Sequence, residues 1–140
     1  MHNLKELKIW QKAIDIGEQV YLVTKSFPKE EKYGMISQIR RAAISISSNI
    51  AEGAGRNYNK EFIQFLGIAN GSCFEVQSQL VLSIRLNLIS ETQANPILAL
   101  IEELQKMMFR FKSSLINEAS KLKEPEIPYL LSNISNLEQS

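Results

Sequence analysis

The chain has 140 residues, 44% hydrophobic and 22% charged, and sixteen Lys and Arg against fifteen Asp and Glu leave a net charge of +1. That is one globular domain with enough chain to bury a real core, and it has no apolar run near the ~18 residues of a membrane span. A sequence pI near 7.8 falls short of the value above about 9 usual for chains built to grip phosphate backbones.

The opening Met1-His2-Asn3-Leu4-Lys5-Glu6 lacks the apolar core of a signal peptide. Cys73 is the only cysteine, which excludes an internal disulfide and agrees with a reducing compartment. The cytoplasm is therefore the expected location.

The first helix is predicted over about residues 4–26. Ile9, Ala13, Ile16, Val20 and Val23 form one heptad stripe, and Leu7, Trp10, Ile14, Gly17 and Tyr21 form a second beside it. Two apolar faces admit two readings. Either the core face is wide, or Trp10, Ile14 and Tyr21 pack on another subunit. Pro28 then breaks the helix at Phe27.

The second helix is predicted over about 30–52. Ile36, Ile39, Ala43, Ile46 and Ile50 recur at spacings of three and four, the seam of a packed helix. Gln38, Arg41, Ser45, Ser48 and Glu52 keep the same rhythm on nearly the opposite side. Small hydroxyls, an amide and an arginine stand where a solvated face would carry Lys and Glu, so this stripe reads as a hydrogen-bonded network between helices or subunits. Gly53 is expected to end the helix as a left-handed cap.

Asn59 is expected to cap a third helix over about 59–88. Its core stripe is Phe62, Leu66, Ala69, Cys73, Val76, Leu80 and Ile84. Gly67 and Gly71 lie inside it although each costs ~1 kcal/mol against Ala, and are read as room for a neighbouring helix. A fourth helix is predicted over about 91–121, with two competing starts. Ser90-x-x-Gln93 matches a capping box, and Asn95-Pro96 offers Pro in the first helical position. Ile97, Ile101, Leu104, Met108, Phe111 and Leu115 keep its seam, while Leu98, Phe109 and Ile116 lie off it.

Long helices with short connections make an all-α fold, an antiparallel up-and-down four-helix bundle over residues 1–120. Beyond Lys123, Pro125 and Pro128 punctuate a polar tail, residues 124–140, in which Leu130, Ile134 and Leu137 match a short amphipathic turn. A flexible end and docking on a neighbouring subunit both fit it.

Chemistry is sparse. A di-metal carboxylate bundle needs two Glu-x-x-His pairs, and zinc needs three or four ligands. One terminal histidine, His2, and one cysteine supply neither. Cys73 sits on an apolar stripe with no base in view, and Gly53-Ala54-Gly55 lacks the Gly-Lys-Ser/Thr of a phosphate loop. No catalytic residue, cofactor, metal or small-molecule substrate is expected, and the chain reads as a non-enzyme.

The run Arg40-Arg41, Asn49-Ile50-Ala51-Glu52-Gly53 and Arg56 continues through Phe62, Phe65-Leu66, Ile68-Ala69, Gly71-Ser72, Glu75 and Gln79-Leu80, with a weaker match at Trp10-Gln11-Lys12-Ala13. Over roughly Leu4 to Leu115 the chain resembles the family of four helix bundle proteins, the intervening-sequence proteins of the 23S ribosomal RNA gene. The resemblance implies a homopentamer of such bundles, no established enzymatic activity and a suspected link to RNA or DNA. Similar to that family are accessory proteins of diversity-generating retroelements, basic bundles thought to hold nucleic acid.

Two functions follow. The first is a non-catalytic oligomeric bundle acting as a binding or scaffold module, with Trp10, Ile14, Tyr21 and Phe109 in subunit contacts. The alternative is an RNA- or DNA-binding accessory protein of ribosomal intervening-sequence or retroelement type. Arg40, Arg56 and Lys60 would then meet phosphates, and Tyr58 would stack on an unpaired base.

Overall fold

In the computed structural model the helices are α1 (Lys8–Thr24), α2 (Met35–Ala54), α3 (Asn59–Arg85) and α4 (Glu91–Lys123), with 3₁₀ turns at Leu4–Glu6 and Lys29–Glu31. The structure describes residues 1–123, and the expectations for 124–140 lie outside the described residues. α2 packs beside α1 and α3, and α4 beside α3 and α1, so α1 and α3 occupy opposite corners of the bundle. Contacts at the helix ends make neighbours antiparallel. The His2 amide donates to the Ala54 carbonyl at the end of α2 (3.1 Å), and Arg40 early in α2 reaches Thr24 at the end of α1. Asn59 at the start of α3 lies 3.4 Å from the Leu115 carbonyl late in α4.

Apolar periodicity places the core where the sequence predicts it. Ile9, Ala13, Ile16 and Val20 of α1 are buried, as are Ile39, Ala43, Ile46 and Ile50 of α2. Phe62, Leu66, Ala69, Cys73, Val76 and Leu80 of α3 and Ile97, Ile101, Leu104, Met108 and Leu115 of α4 close the other two sides. Each large side chain hidden this way stabilises the fold by about 1.5–3 kcal/mol. Val23, Ile36, Ile84 and Phe111 mark the seam margins and are half-buried. Trp10, a candidate subunit contact, is also half-buried and packs against the protomer's own core.

The helix ends differ from expectation, each for a local reason. α1 is preceded by a separate 3₁₀ turn and stops at Thr24, two residues earlier than predicted. α2 begins at Met35 rather than near residue 30, because Gly34 is non-helical (φ −106°, ψ −111°). The Glu31 carboxylate accepts the Met35 amide instead (3.2 Å). At the other end Gly53 is not a left-handed cap: α2 continues through it to Ala54, and Gly55 caps it in right-handed geometry (φ −81°).

α3 takes Tyr58, not Asn59, as its N-cap and ends at Arg85 rather than near Leu88. Its stop is a Schellman motif. Asn87 adopts φ 59°, its amide donates to the Ile84 carbonyl (3.0 Å), and the Leu88 amide donates to the Ser83 carbonyl (2.9 Å). The competition for the start of α4 is settled for Ser90. The Gln93 amide donates to Ser90 Oγ (3.1 Å) and the Ser90 amide to Gln93 Oε1 (3.3 Å), a reciprocal capping box. Pro96 consequently lies inside α4.

Candidate interaction surfaces

The polar stripe of α2 divides. Ser45 Oγ accepts from Ser72 Oγ of α3 (2.8 Å) and from Asn49 Nδ2 (3.0 Å). Asn49 also donates to the Ser45 carbonyl (2.8 Å). Ser45 thus sits at an intramolecular crossing where small residues let α2 and α3 approach. Gln38, Arg41 and Ser48 are exposed, and Glu52 pairs with Arg56 (2.8 Å) one turn on. Asn49 and Ser72, which carry the crossing with Ser45, were not among the predicted network residues. Their signal was a short polar side chain next to an apolar seam in each helix.

The candidate nucleic-acid contacts are not brought together. Arg40 lies in the second turn of α2. Arg56, Tyr58 and Lys60 lie at its far end, on the order of 20 Å away at 1.5 Å per residue. Arg56 is held by Glu52 and by Glu61 (3.8 Å), with its guanidinium 5.0 Å from the Phe65 ring centroid. Tyr58 and Lys60 are exposed. Arg40 is half-buried: Nε donates to Thr24 Oγ1 (2.9 Å), Nη2 to the Tyr21 carbonyl (3.4 Å), and Cζ stands 4.3 Å from the Tyr21 ring centroid. Thr24 is buried, and its hydroxyl donates a hydrogen bond to the Val20 carbonyl (2.7 Å). Tyr21, expected at a subunit contact, therefore has one ring face engaged within its own chain.

Apolar side chains left exposed outside the core include two groups. On α1, Ile14 is 41% exposed and Tyr21 39%, with Gly17 between them. Phe109 of α4 at 71% and Phe74 of α3 at 61% line one groove between these helices, and Ile68, Leu82 and Ile116 of the same helices are also exposed. A Cβ built on Gly17, Gly67 or Gly71 would meet nothing within 4 Å. The close helix approach expected at Gly67 and Gly71 is thus not made within the protomer. Gly53 is the glycine that is packed, since a Cβ there would come 2.6 Å from Phe62 Cδ1 and 2.9 Å from Phe65 Cβ.

The interior holds little reactive chemistry. Burial pushes the Cys73 thiol up to about 12 from an ordinary value of 9.0, so the thiolate is not populated at neutral pH. His2, the terminal histidine, packs edge-to-face on Phe62 and Phe111 at ring distances of 5.1 and 5.8 Å. Among the described residues no three metal-ligating side chains converge, and no helix is long and apolar enough to cross a membrane.

The chain is similar to solved structures of the same shape. One is the 1.70 Å crystal structure of a protein of unknown function from the S23 ribosomal protein family of Bacteroides thetaiotaomicron VPI-5482. It is 25% identical with a TM-score of 0.69, and the match covers 74% of this chain and 97% of that one. No curated protein matches. The family model described as 23S rRNA-intervening sequence protein matches residues 5–110. With four helices, an apolar seam on each and the Arg40-to-Gly53 motif spanning the α2–α3 crossing, the chain belongs to the 23S rRNA-intervening sequence protein family.

Proposed function

We propose that this protein is a non-catalytic, self-associating cytoplasmic bundle that serves as a binding or scaffold module. The observation that carries the reading is the pair of uncovered apolar surfaces, one on α1 and one on α3 and α4. Apolar patches rimmed by polar residues mark interaction sites. Two different patches on one chain suit head-to-tail contacts, which close into rings when the rotation permits. The homopentamer that the family resemblance implies would be such a ring. The non-catalytic part rests on the buried, protonated Cys73 and on Glu52 and Glu61 both being turned to Arg56 (2.8 and 3.8 Å).

The test is multi-angle light scattering on the native chain and on Phe109→Asp. The native chain elutes with an oligomer's mass, and the variant with a smaller one at unchanged helical content. A native monomer at micromolar concentration contradicts the reading. A second reading, nucleic-acid binding, is favoured by one observation: Lys32, Arg40 and Arg41 gather on one side of α2 with no carboxylate bridging any of them among the described residues.

A further inference from the structure

In a chain whose charges nearly cancel, a place where cations collect without carboxylates is a departure from the average. One such place is the corner between α1 and α2. An open cavity of about 420 Å³ lies there, lined by Tyr21 of α1, Lys32 and Tyr33 of the connecting turn, and Ile36, Ser37, Arg40, Arg41 and Ile44 of α2. Its size is that of a small-ligand cleft. No Asp or Glu lines it. The nearest in sequence, Glu31, is occupied with the Met35 amide at the start of α2.

The corner is partly preorganised. Hydrogen bonds to Thr24 and Tyr21 and the stack on the Tyr21 ring fix the Arg40 guanidinium, yet these use only part of its five-donor fork. Arg41 is one position further round the helix and exposed. Tyr33, in the same lining, is 87% exposed, and the Lys32 ammonium stands 5.5 Å from its ring centroid. An uncovered aromatic ring beside rigid and mobile cations provides both halves of single-strand recognition: a platform for a base and donors for the phosphate.

We propose that this corner binds one nucleotide unit of a single-stranded nucleic acid, with the phosphate on Arg40, Arg41 and Lys32 and the base against Tyr33. The inference rests on the nucleic-acid reading given above as the second function. A duplex is disfavoured because Tyr33 can stack only on a base that is not already stacked. An acidic peptide would use the cations but not the Tyr33 face. Three cations make a weak site in one chain, and repetition around an oligomer raises the effective affinity without new contacts. That reconciles a phosphate site with a net charge of +1.

The test uses the full chain and fluorescence anisotropy with labelled oligouridylate and oligothymidylate of about twelve nucleotides, at two salt concentrations. Binding that weakens with salt is expected. Lys32→Ala and Arg41→Ala should each reduce the slope of log K against log salt by about 0.7. Tyr33→Ala should weaken binding about tenfold with the slope kept, and Tyr33→Phe should bind as the native chain does. No binding by the native chain overturns both the site and the nucleic-acid reading. Native binding that all three alanine variants retain overturns the site alone. A changed oligomer mass in these variants reassigns the corner to a subunit contact and overturns it. So does a polyglutamate peptide that binds with the same Tyr33 dependence, or free uridine monophosphate that binds as tightly as the strand.

Discussion

Gly53 of α2 lies directly against the Phe62 ring of α3, so close that a β-carbon on the glycine would stand 2.6 Å from Phe62 Cδ1. This contact lets the ends of two long helices converge where His2, Phe62 and Phe111 form an aromatic cluster with ring distances of 5.1–5.8 Å. A helix-interior glycine is otherwise a liability of ~1 kcal/mol. Here the liability is offset by packing that no other residue allows.

Gly53→Ala is therefore expected to destabilise the protein by about 1–3 kcal/mol, because overpacking outweighs the gain in helix propensity. Urea denaturation followed by circular dichroism measures it. An unchanged or raised midpoint would show that Phe62 and Phe65 move aside freely.

Gly71→Ala should behave oppositely in the protomer. With nothing within 4 Å of the added methyl, the substitution should raise helix stability by about 0.5–1 kcal/mol. If the outer side of α3 meets another subunit, the same methyl weakens association. Comparing the urea midpoint of the dissociated chain with the dilution-dependent mass separates the two effects. A variant that is stabilised and still assembles normally removes α3 from the interface.

Arg40 and Thr24 join α1 to α2 across sixteen residues of sequence. Arg40→Ala is expected to cost about 1.5–3 kcal/mol, the range for hydrogen bonds to charged groups, and Arg40→Lys should not restore it, since an ammonium reproduces neither the fork nor the stack on Tyr21. Thermal unfolding of both variants is the check. Full rescue by Lys would mean that charge alone matters there.

Cys73 supplies a pH signature. Its thiol is raised in the fold to about 12 from 9.0, so the unfolded chain loses its proton first. The stabilising contribution is complete below pH 9 and declines as pH rises from 9 towards 12. The native chain should lose more stability over that interval than Cys73→Ala does. A thiol reagent at pH 8 should label Cys73 only under unfolding conditions, and fast labelling of folded protein would contradict its burial.

The four apolar seams were legible because side chains such as Ile39, Ala43, Ile46 and Ile50 repeat a period that only one helical face satisfies. The ends were not. Gly34 and Asn87 decide where α2 starts and α3 stops through backbone angles that hydrophobic periodicity does not record. The polar stripe was legible in part. Ser45 does bond across helices, but Asn49 and Ser72 complete the crossing while Gln38, Arg41 and Ser48 face outward. At 100° per residue a stripe drifts between an inner and an outer face, and residue type alone does not say which side a partner occupies. Arg40 reads as a phosphate contact from its guanidinium, and its structural partner Thr24 lies on another helix, where neighbouring residues in the sequence do not reveal it. Arg56, by contrast, carried a readable clue in Glu52 four residues before it.

Ile14 of α1 and Phe109 of α4 stand exposed on one chain, and in the proposed assembly further copies cover them. Sedimentation equilibrium of the full-length protein over a hundredfold dilution tests it most directly. Self-association predicts a stable multiple of the 15.9 kDa chain, a pentamer if the ring closes as the family resemblance implies, lost on Phe109→Asp or Ile14→Asp with helicity retained. A mass of 15.9 kDa for the native protein at every concentration would contradict it.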